Sequence, residues 1–445
     1  MQFNTPEFVL FFFLVAVVVY IANRLLLCKA RNVLLLIASY AFYANLHIYY
    51  PLLLLFVTLV NFIGGRWLQR GGLTEKQKKL IISVDVILSL VPLVVLKYAP
   101  VYTDSLWLPV GLSFFTFQSL TYSLDIYRGK ITEKYTLLDV SLFIAFFPTI
   151  LSGPIERARN VIPQLREKLP FSWENTVEGA QTFTWGLFKK MVIADRLAEW
   201  VDAIYAQGLS ASGGSLAVAA VLYSFQIYCD FSGYASMAIG VGRMLGIKLM
   251  ENFYFPYFAS SIKDFWRRWH ISLTSWFTEY VYISMGGNRV SRVRWLLNIS
   301  CVFILSGVWH GATWSFVIWG AIHAVLYLTE YFTGFVGKNI FYRILVFVGV
   351  TLAWVFFRVE NSAEAASMIA KMFTGPWTPV KYGVKLAPIA AVTIGVLISF
   401  IVIEYAQYKK KLPTHWLWRS AGFALMIVCI SLFSASASQF VYFKF

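Results

Sequence analysis

Charged side chains are scarce in this sequence. Only 13% of its 445 residues are charged, whereas 59% are hydrophobic, and the mean hydropathy is +0.65. A water-soluble protein of this length needs far more charge to cover its surface, so much of the apolar surface must face lipid. These proportions exclude the soluble globular classes and predict an integral membrane protein.

Acidic residues are the scarcer of the two charged kinds. The chain has 22 Asp and Glu against 38 Lys and Arg, which gives a formal charge of +16. In a soluble domain this excess would suggest nucleic-acid binding. Here the basic residues cluster in short connectors between apolar runs, where they set topology and meet anionic lipid or a phosphorylated donor. The predicted partners therefore include membrane lipid and exclude nucleic acid.

Motifs for metal ions and tightly bound cofactors are missing as well. The sequence contains no CxxC, no HExxH, no phosphate-binding loop and no serine nucleophile elbow. The four cysteines stand singly in apolar segments, which is typical of packing thiols: Cys28, Cys229, Cys301 and Cys429. We predict no metal site and no bound cofactor.

Long apolar runs recur from one end of the chain to the other. They do not alternate as barrel strands do, so helices are the only way to satisfy the backbone in lipid. We predict an all-α polytopic protein with about 10–13 membrane helices, some of them short or re-entrant. The run at 215–246 leaves open a break at Ser232–Gly233. The predicted spans lie near 8–27, 33–46, 49–65, 80–98, 108–124, 137–152, 180–204, 215–246, 296–309, 313–335, 342–357, 386–405 and 419–437.

The basic residues predict the orientation of the chain. Clusters follow the first and third spans, and three lysines lie between the last two, so the N-terminus is expected outside. The region 33–65, with basic clusters at both ends, is then a hairpin of two short helices. The first 20 residues hold no Lys or Arg, so the first run is expected to be a span rather than a cleavable signal peptide. The cations used are Arg24, Lys29, Arg31, Arg66, Arg70, Lys76, Lys78, Lys79 and Lys409 to Lys411.

The segment 253–294 differs from the apolar runs around it, because charged residues and tryptophans alternate there. On a helical wheel one face is apolar and another is polar, which predicts an amphipathic helix at the membrane interface. We interpret 1–445 as a single membrane domain that includes this interfacial segment. The apolar face holds Trp266, Trp269, Leu273, Trp276 and Phe277, and the polar face holds Lys263, Arg267, His270 and Thr274.

His310 is the strongest candidate for chemistry among five histidines. It lies between two apolar runs, and ionisable groups at membrane depth are costly and tend to mark function. In a continuous helix, Gly307, Gly311 and Trp314 would share its face, and the two glycines would let another helix or a thin substrate approach the imidazole. The alternative is a structural histidine bonded to a neighbouring helix.

His323 and His270 are the other two candidates. In a continuous helix His323 would lie about 19 Å from His310 on a nearly opposite face, so a metal pair is not expected. We therefore interpret His323 as structural. His270 falls on the polar face of the predicted amphipathic helix, which suits a second role at the site or in donor binding.

Four blocks of sequence together resemble the membrane-bound O-acyltransferase family, and within it the bacterial branch of alginate O-acetyltransferase membrane subunits. They lie in the family's order and span nearly the whole chain. The blocks are RNVLLL at 31–36 with ASYAFY at 38–43, FFP at 146–148 with SGPI at 152–155, YCDFSGY at 228–234 with DFWRRWHISL at 264–273, and WHG at 309–311 with Trp314, Trp319, Gly320 and His323.

The resemblance implies a ring of helices around a thin centre and an acyltransferase reaction. The family's invariant histidine corresponds to His310 and its second prominent histidine to His270. The basic segment adds a donor site at Arg267, Arg268 and Trp269. The substrate channel is expected at Trp309, Gly311, Trp314 and Asp230.

The implied reaction moves an acetyl group from a cytoplasmic thioester, acetyl-CoA, across the bacterial inner membrane. The acceptor would be an extracytoplasmic polysaccharide such as alginate, peptidoglycan or cellulose, reached through a separate SGNH-type acetyltransferase. Two alternatives remain at this point. One is transfer of D-alanine toward teichoic acid. The other is a proton-coupled transporter, although the inverted repeats typical of transporters are not visible.

Overall fold

Helices account for all the regular structure in the part of the chain that the computed structural model describes, and no strand is found there. The described residues are 1–25, 27–98, 109–334, 339–378, 387–411, 416–434 and 440. The α-helices are α1 Pro6–Arg24, α2 Cys28–Ala44, α3 Tyr50–Leu68, α4 Glu75–Tyr98, α5 Leu112–Tyr127, α6 Leu137–Ala145, α7 Ala158–Arg166, α8 Trp173–Leu187, α9 Asp195–Tyr205, α10 Gly213–Met244, α11 Ile262–Arg268, α12 Ile271–Trp276, α13 Arg292–His310, α14 Trp314–Thr333, α15 Ile340–Arg358, α16 Ser362–Thr374, α17 Ala387–Tyr408 and α18 Trp416–Phe433.

Many of these helices have the length and composition of membrane spans. Within the described ranges, eight are long and apolar enough to cross a bilayer: α1, α3, α4, α10, α13, α14, α15 and residues 391–408 of α17. Shorter helices accompany them, including the apolar stretch Ser420–Phe433 of α18. The prediction of an all-α, polytopic membrane protein is confirmed, and 33–65 is the predicted hairpin of two helices, α2 and α3.

One helix break that the sequence left open is absent, and one predicted helix end was wrong. The run at 215–246 is not broken at Ser232–Gly233, because α10 continues through both residues to Met244. The span predicted at 137–152 ends early, since α6 stops at Ala145 and Phe146 leaves helical geometry two residues before Pro148. Proline disfavours the α conformation in the residue directly before it, here Phe147, so a helix is expected to end at or before that position.

Contacts divide the chain into two units. The first comprises Met1–Gly186 with Tyr234–Glu251, and the second comprises Leu187–Gly233 with Asn252–Phe445. In the first unit Arg31 is fully buried in α2 rather than exposed in a connector. Its guanidinium donates to the side-chain oxygen of Asn23 at 2.9 Å and to the carbonyl of Glu167 at 2.9 Å. Arg31 is therefore a packing residue of this unit.

The second unit contains an antiparallel hairpin of α13 and α14. The beginning of α13 meets the end of α14, where the Arg292 guanidinium lies 4.9 Å from the ring of Phe332. We call this the basic end of the hairpin, because Arg292 and Arg294 are exposed there. At the opposite end the chain turns between His310 and Trp314.

The last helix of the second unit is fixed from its carboxyl end. The Arg196 guanidinium donates through Nε to the carbonyl of Phe433 at 3.0 Å and through Nη2 to that of Ser434 at 3.2 Å. The final carbonyls of a helix have no partner within the helix, so a cation placed there satisfies them. α18 thereby attaches to α9, which precedes it by more than 200 residues.

Candidate active site

The chain leaves helical geometry directly after His310, between the two spans predicted at 296–309 and 313–335. α13 ends at His310, Gly311 is extended, and α14 begins at Trp314. His310 is 4% exposed, whereas Trp314 is 74% exposed. The two side chains therefore do not share a helical face, because the continuous helix that this grouping required is not present.

The two glycines around His310 do allow a second helix to approach closely. A Cβ added at Gly307 would overlap the carbonyl oxygen of Phe316, and one at Gly311 would overlap the Phe316 ring. The predicted small-residue groove therefore exists, and the neighbouring element that fills it is α14. This contact places the first turns of α14 against the end of α13.

Aromatic rings surround the imidazole of His310. The ring of Phe357, on α15, lies edge-on with its centroid at 4.8 Å, and the ring of Trp319, on α14, lies edge-on at 5.2 Å. The adjacent Trp309 ring is at 4.6 Å. Because aromatic carbons exclude water, any hydrogen bond or proton transfer at this imidazole takes place in a low-dielectric environment.

Four residues of α14 lie one after another along the helix between the basic end and His310. Starting from the basic end, they are Glu330, His323, Trp319 and Phe316, and we call them the α14 ladder. α11 runs beside it: the backbone N–H of Ile262 donates to Glu330 at 2.5 Å, and the indole of Trp266 donates to His323 at 3.3 Å. α11 therefore extends from the basic end toward the level of His323.

His270 does not lie on the polar face of an amphipathic helix. The expected single helix is divided into α11 and α12, and His270 between them has a left-handed φ of 44°. The cause is Asn252, whose carbonyl accepts the N–H of Ile271 and whose side-chain oxygen accepts the N–H of Ser272. His270 is only 1% exposed, so the prediction that it accompanies the basic residues was wrong.

The hydrogen bonds of His270 determine which nitrogen carries its proton. Nδ1 lies 3.2 Å from the side-chain oxygen of Asn252, which already accepts two bonds from Ser272. An amide oxygen only accepts, so Nδ1 is the donor and Nε2 bears the lone pair. Burial lowers the pKa of His270 to about 3, which keeps the ring neutral. Asn252 was missed by the sequence reasoning, because it lies 18 residues away and belongs to no motif.

His323 has the opposite tautomer. The indole N–H of Trp266 can only donate, so Nδ1 of His323 accepts and the proton is on Nε2. His323 is fully buried, and this Nε2 has no hydrogen-bond partner. The indole nitrogen of Trp319, one turn away on α14, is likewise buried and without a partner. An unsatisfied buried donor costs about 1–3 kcal/mol.

The three predicted donor-site residues have different environments. Trp269 is buried, with its ring centroid 4.9 Å from that of Trp354. Arg268 is paired with Asp264 at 2.8 Å, and its guanidinium lies 5.4 Å from the ring of Tyr408. Arg267 is exposed. Of the two arginines, Arg267 therefore has the side chain that is more available to an incoming phosphate.

Asp230, predicted to line the channel, belongs to a buried ion cluster. Its carboxylate lies 2.7 Å from the ammonium of Lys190, which is also 2.7 Å from Asp195. The next residue, Phe231, has its ring 4.6 Å from that of His270. The sequence reasoning did not single out Lys190, although a lysine within an apolar helix is itself a signal for a buried carboxylate partner.

Comparisons with known proteins identify the family of this chain. The model of the MBOAT, membrane-bound O-acyltransferase family matches residues 35–357, a range that includes the ion cluster, both catalytic candidates and the α14 ladder. The chain belongs to this family. It is thus a multi-pass membrane O-acyltransferase, which decides the choice between an enzyme and a transporter in favour of the enzyme.

Three relatives indicate which acyl transfers occur in similar chains. A probable alginate O-acetylase of Pseudomonas aeruginosa is 35% identical over 86% of this chain and 77% of that protein. A peptidoglycan O-acetyltransferase of Helicobacter pylori is 32% identical over 100% of this chain and 97% of that protein. A teichoic acid D-alanyltransferase of Bacillus subtilis is 32% identical over 49% of this chain and 57% of that protein.

Proposed function

We propose that this O-acyltransferase takes an acetyl group from acetyl-CoA on the cytoplasmic side and passes it to an extracytoplasmic hydroxyl, for O-acetylation of a cell-surface polysaccharide. The observation that carries the proposal is the position of His310. It is a buried imidazole at the end of α13 remote from the basic end, within the region that matches the family. Alginate-like polymers, peptidoglycan and cellulose are the acceptor classes.

His310 is the proposed catalytic base. It takes the proton of the acceptor hydroxyl as that oxygen bonds to the thioester carbonyl carbon. The carbon–sulfur bond then breaks, and the thiolate takes the proton back from His310 to leave as a thiol. His270, with its lone pair on Nε2, has the tautomer needed to accept a hydrogen bond from the same hydroxyl. We assign it the second, orienting role.

The basic end of the α13–α14 hairpin is the proposed donor side. Positive charge predicts a cytoplasmic location, so we place the basic end inside and the His310 turn toward the outside of a bacterial inner membrane, with the N-terminus also outside. Arg267 is then the residue proposed to meet a donor phosphate, with Arg268 and Trp269 supporting its segment. Trp309, Gly311 and Trp314 would border the acceptor side, and Asp230 would stabilise the wall of the channel.

Replacement of His310 tests the catalytic proposal. The wild type should acetylate a small hydroxyl acceptor from labelled acetyl-CoA, and His310→Ala should lose this activity by at least about a hundredfold. His47→Ala, which removes an imidazole in the first unit, is the matched control and should keep activity. If correctly inserted His310→Ala turns over at the wild-type rate, the assignment is wrong.

D-alanyl transfer is the second candidate, because a teichoic acid D-alanyltransferase is among the relatives. Its donor is expected to be a carrier protein, which has a phosphopantetheine thioester but lacks the nucleotide of CoA. Supplying the purified protein with acetyl-CoA in one assay and a D-alanyl-loaded carrier in another separates the two. If D-alanine is transferred from the carrier and no acetyl group is transferred from acetyl-CoA, the carrier is the donor and acetyl-CoA is not.

A partner of the SGNH type is proposed to complete the modification. The described outer connectors are short, and a polymer needs a larger surface than they provide to be held in register. Liposomes with acetyl-CoA inside and polysaccharide outside test this step, with and without the candidate partner. Full-rate polymer acetylation by this chain alone, with no gain from the partner, would show that no handover takes place.

A further inference from the structure

Two buried N–H groups in the α14 ladder lack an acceptor. They are Nε2 of His323 and the indole nitrogen of Trp319, and both side chains are at most 1% exposed. Trp319 packs against both histidines, with ring centroids 5.0 Å from His323 and 5.2 Å from His310. Aromatic rings make up most of the surroundings, and neither donor reaches a hydrogen-bond acceptor.

The protonation of His323 is set by the fold. Trp266 can only donate, so Nδ1 must accept and the neutral ring has to present its N–H at Nε2. Trp266 therefore acts as a positioning residue that fixes the tautomer. Nε2–H of His323 is therefore a permanent hydrogen-bond donor, and the ring does not have to be protonated to provide it.

The N–H groups of His323 and Trp319 lie on the α14 ladder where an acyl group on its way to His310 could bind them. His323 lies nearer the basic end than Trp319, and His310 lies beyond Trp319, so a thioester entering from the basic end passes the two donors before its carbonyl carbon reaches the base. A carbonyl oxygen is the acceptor that both N–H groups lack. Donors fixed in a water-excluded site stabilise charge that develops on such an oxygen.

We propose that Nε2–H of His323 and Nε1–H of Trp319 bind the carbonyl oxygen of the acyl thioester and stabilise the oxyanion formed during transfer. This inference rests on the proposed role of His310. As the hydroxyl oxygen bonds to the carbonyl carbon, its proton passes to His310 and the carbonyl electron pair moves to the oxygen held by the two donors. When the carbonyl re-forms, the carbon–sulfur bond breaks and the thiolate takes the proton from His310.

Trp319→Phe is the most direct variant, because it removes the N–H and keeps an aromatic ring. The expected result is a fall in kcat of about a hundredfold or more with little change in the KM for acetyl-CoA. Trp354→Phe is the matched control, since it also removes a buried indole N–H without a partner, from a ring stacked 5.7 Å from Trp319 but on α15 rather than in the α14 ladder. It should leave kcat within a few fold of the wild type. Equal losses in the two variants would mean that packing explains the effect, and would overturn the proposal.

A second pair of variants tests His323. His323→Gln keeps one acceptor for Trp266 and one N–H donor, whereas His323→Leu removes both. The Gln variant should retain clearly more activity than the Leu variant. If Leu matches Gln while both are correctly inserted, His323 does not donate to the acyl group.

Infrared spectroscopy gives a readout that does not depend on turnover. In His310→Ala loaded with acetyl-CoA labelled with ¹³C at the carbonyl, hydrogen bonds from the pair should lower the carbonyl stretch. Adding Trp319→Phe should raise it again, and adding Trp354→Phe should not. If Trp319→Phe leaves the carbonyl band unchanged, this inference alone is overturned. A wild-type protein that never acetylates from acetyl-CoA would instead overturn the proposed function.

Discussion

Lys190 joins two carboxylates from different helices, because its ammonium lies 2.7 Å from Asp195 at the start of α9 and 2.7 Å from Asp230 inside α10. All three side chains are almost completely buried. Removing one member of a buried ion pair leaves an uncompensated charge. The free energy of unfolding then falls by more than the intact pair contributes to it.

Lys190→Met should therefore destabilise the protein strongly, by about 3–5 kcal/mol. Thermal unfolding in detergent should show the loss, and Lys168→Met, which removes an exposed lysine, should leave the midpoint nearly unchanged. Adding Asp230→Asn to Lys190→Met should recover part of the stability by removing one unpaired charge. A Lys190→Met protein as stable as the wild type would show that the cluster does not stabilise the fold.

Arg267 and Arg268 should respond differently to charge reversal. Arg267→Glu should raise the KM for acetyl-CoA by about tenfold and leave the unfolding midpoint unchanged, since the side chain is exposed. Arg268→Glu should lower the midpoint, because it places two carboxylates together at Asp264. Donor kinetics and unfolding in detergent give the two readouts. The donor-side assignment is wrong if Arg267→Glu leaves the KM unchanged at low ionic strength.

The ends of the α13–α14 hairpin should face opposite sides of the membrane. In a background without the four natural cysteines, a cysteine at position 294 should react with an impermeant maleimide only from the cytoplasmic side. A cysteine at position 314, which holds an exposed side chain next to His310, should react from the outside. Labelling of both from the same side would contradict the proposed orientation.

Acid should destabilise the fold through His270. Its pKa is about 3 in the fold and about 6.5 when unfolded, so the unfolded state binds more protons between these values. Stability is therefore lost as the pH falls below about 6.5, by about 2 kcal/mol at pH 5. His270→Asn, which cannot titrate, should lose less stability than the wild type between pH 7.5 and pH 5.

His47→Asn is the control for the acid effect, because it removes a histidine of the first unit that is not fully buried. It should keep the acid sensitivity of the wild type. Comparing unfolding midpoints at the two pH values for all three proteins separates His270 from general acid effects. Equal sensitivity in His270→Asn and the wild type would contradict a neutral, buried ring.

The class of fold was predictable because it follows from composition and from the length of apolar runs. The hairpin of α2 and α3 was also predictable, since basic residues bracket it. The periodicity of the sequence predicted the wrong local structure where a residue distant in the chain determines the backbone conformation. The left-handed turn at His270 depends on Asn252, and no helical wheel contains that contact.

The chemical roles within the site were only partly visible in the sequence. A histidine between apolar runs was enough to select His310. The tautomer of His323 was not accessible, because it depends on Trp266, 57 residues away. His323 was interpreted as structural on the assumption of a continuous helix from His310, and the turn at Gly311 removes that assumption.

The attachment of α18 through Arg196 has a consequence for biosynthesis. The carbonyl of Phe433 follows Arg196 by 237 residues, so the ribosome adds it roughly 12–50 s later at ordinary elongation rates. Until then the Arg196 guanidinium lacks these two acceptors, and in the finished protein its nearest carboxylate is that of Glu199 on the same helix, at 3.6 Å. A chain released from the translocon before α18 is complete would therefore lack the contact that holds the end of α18 against α9.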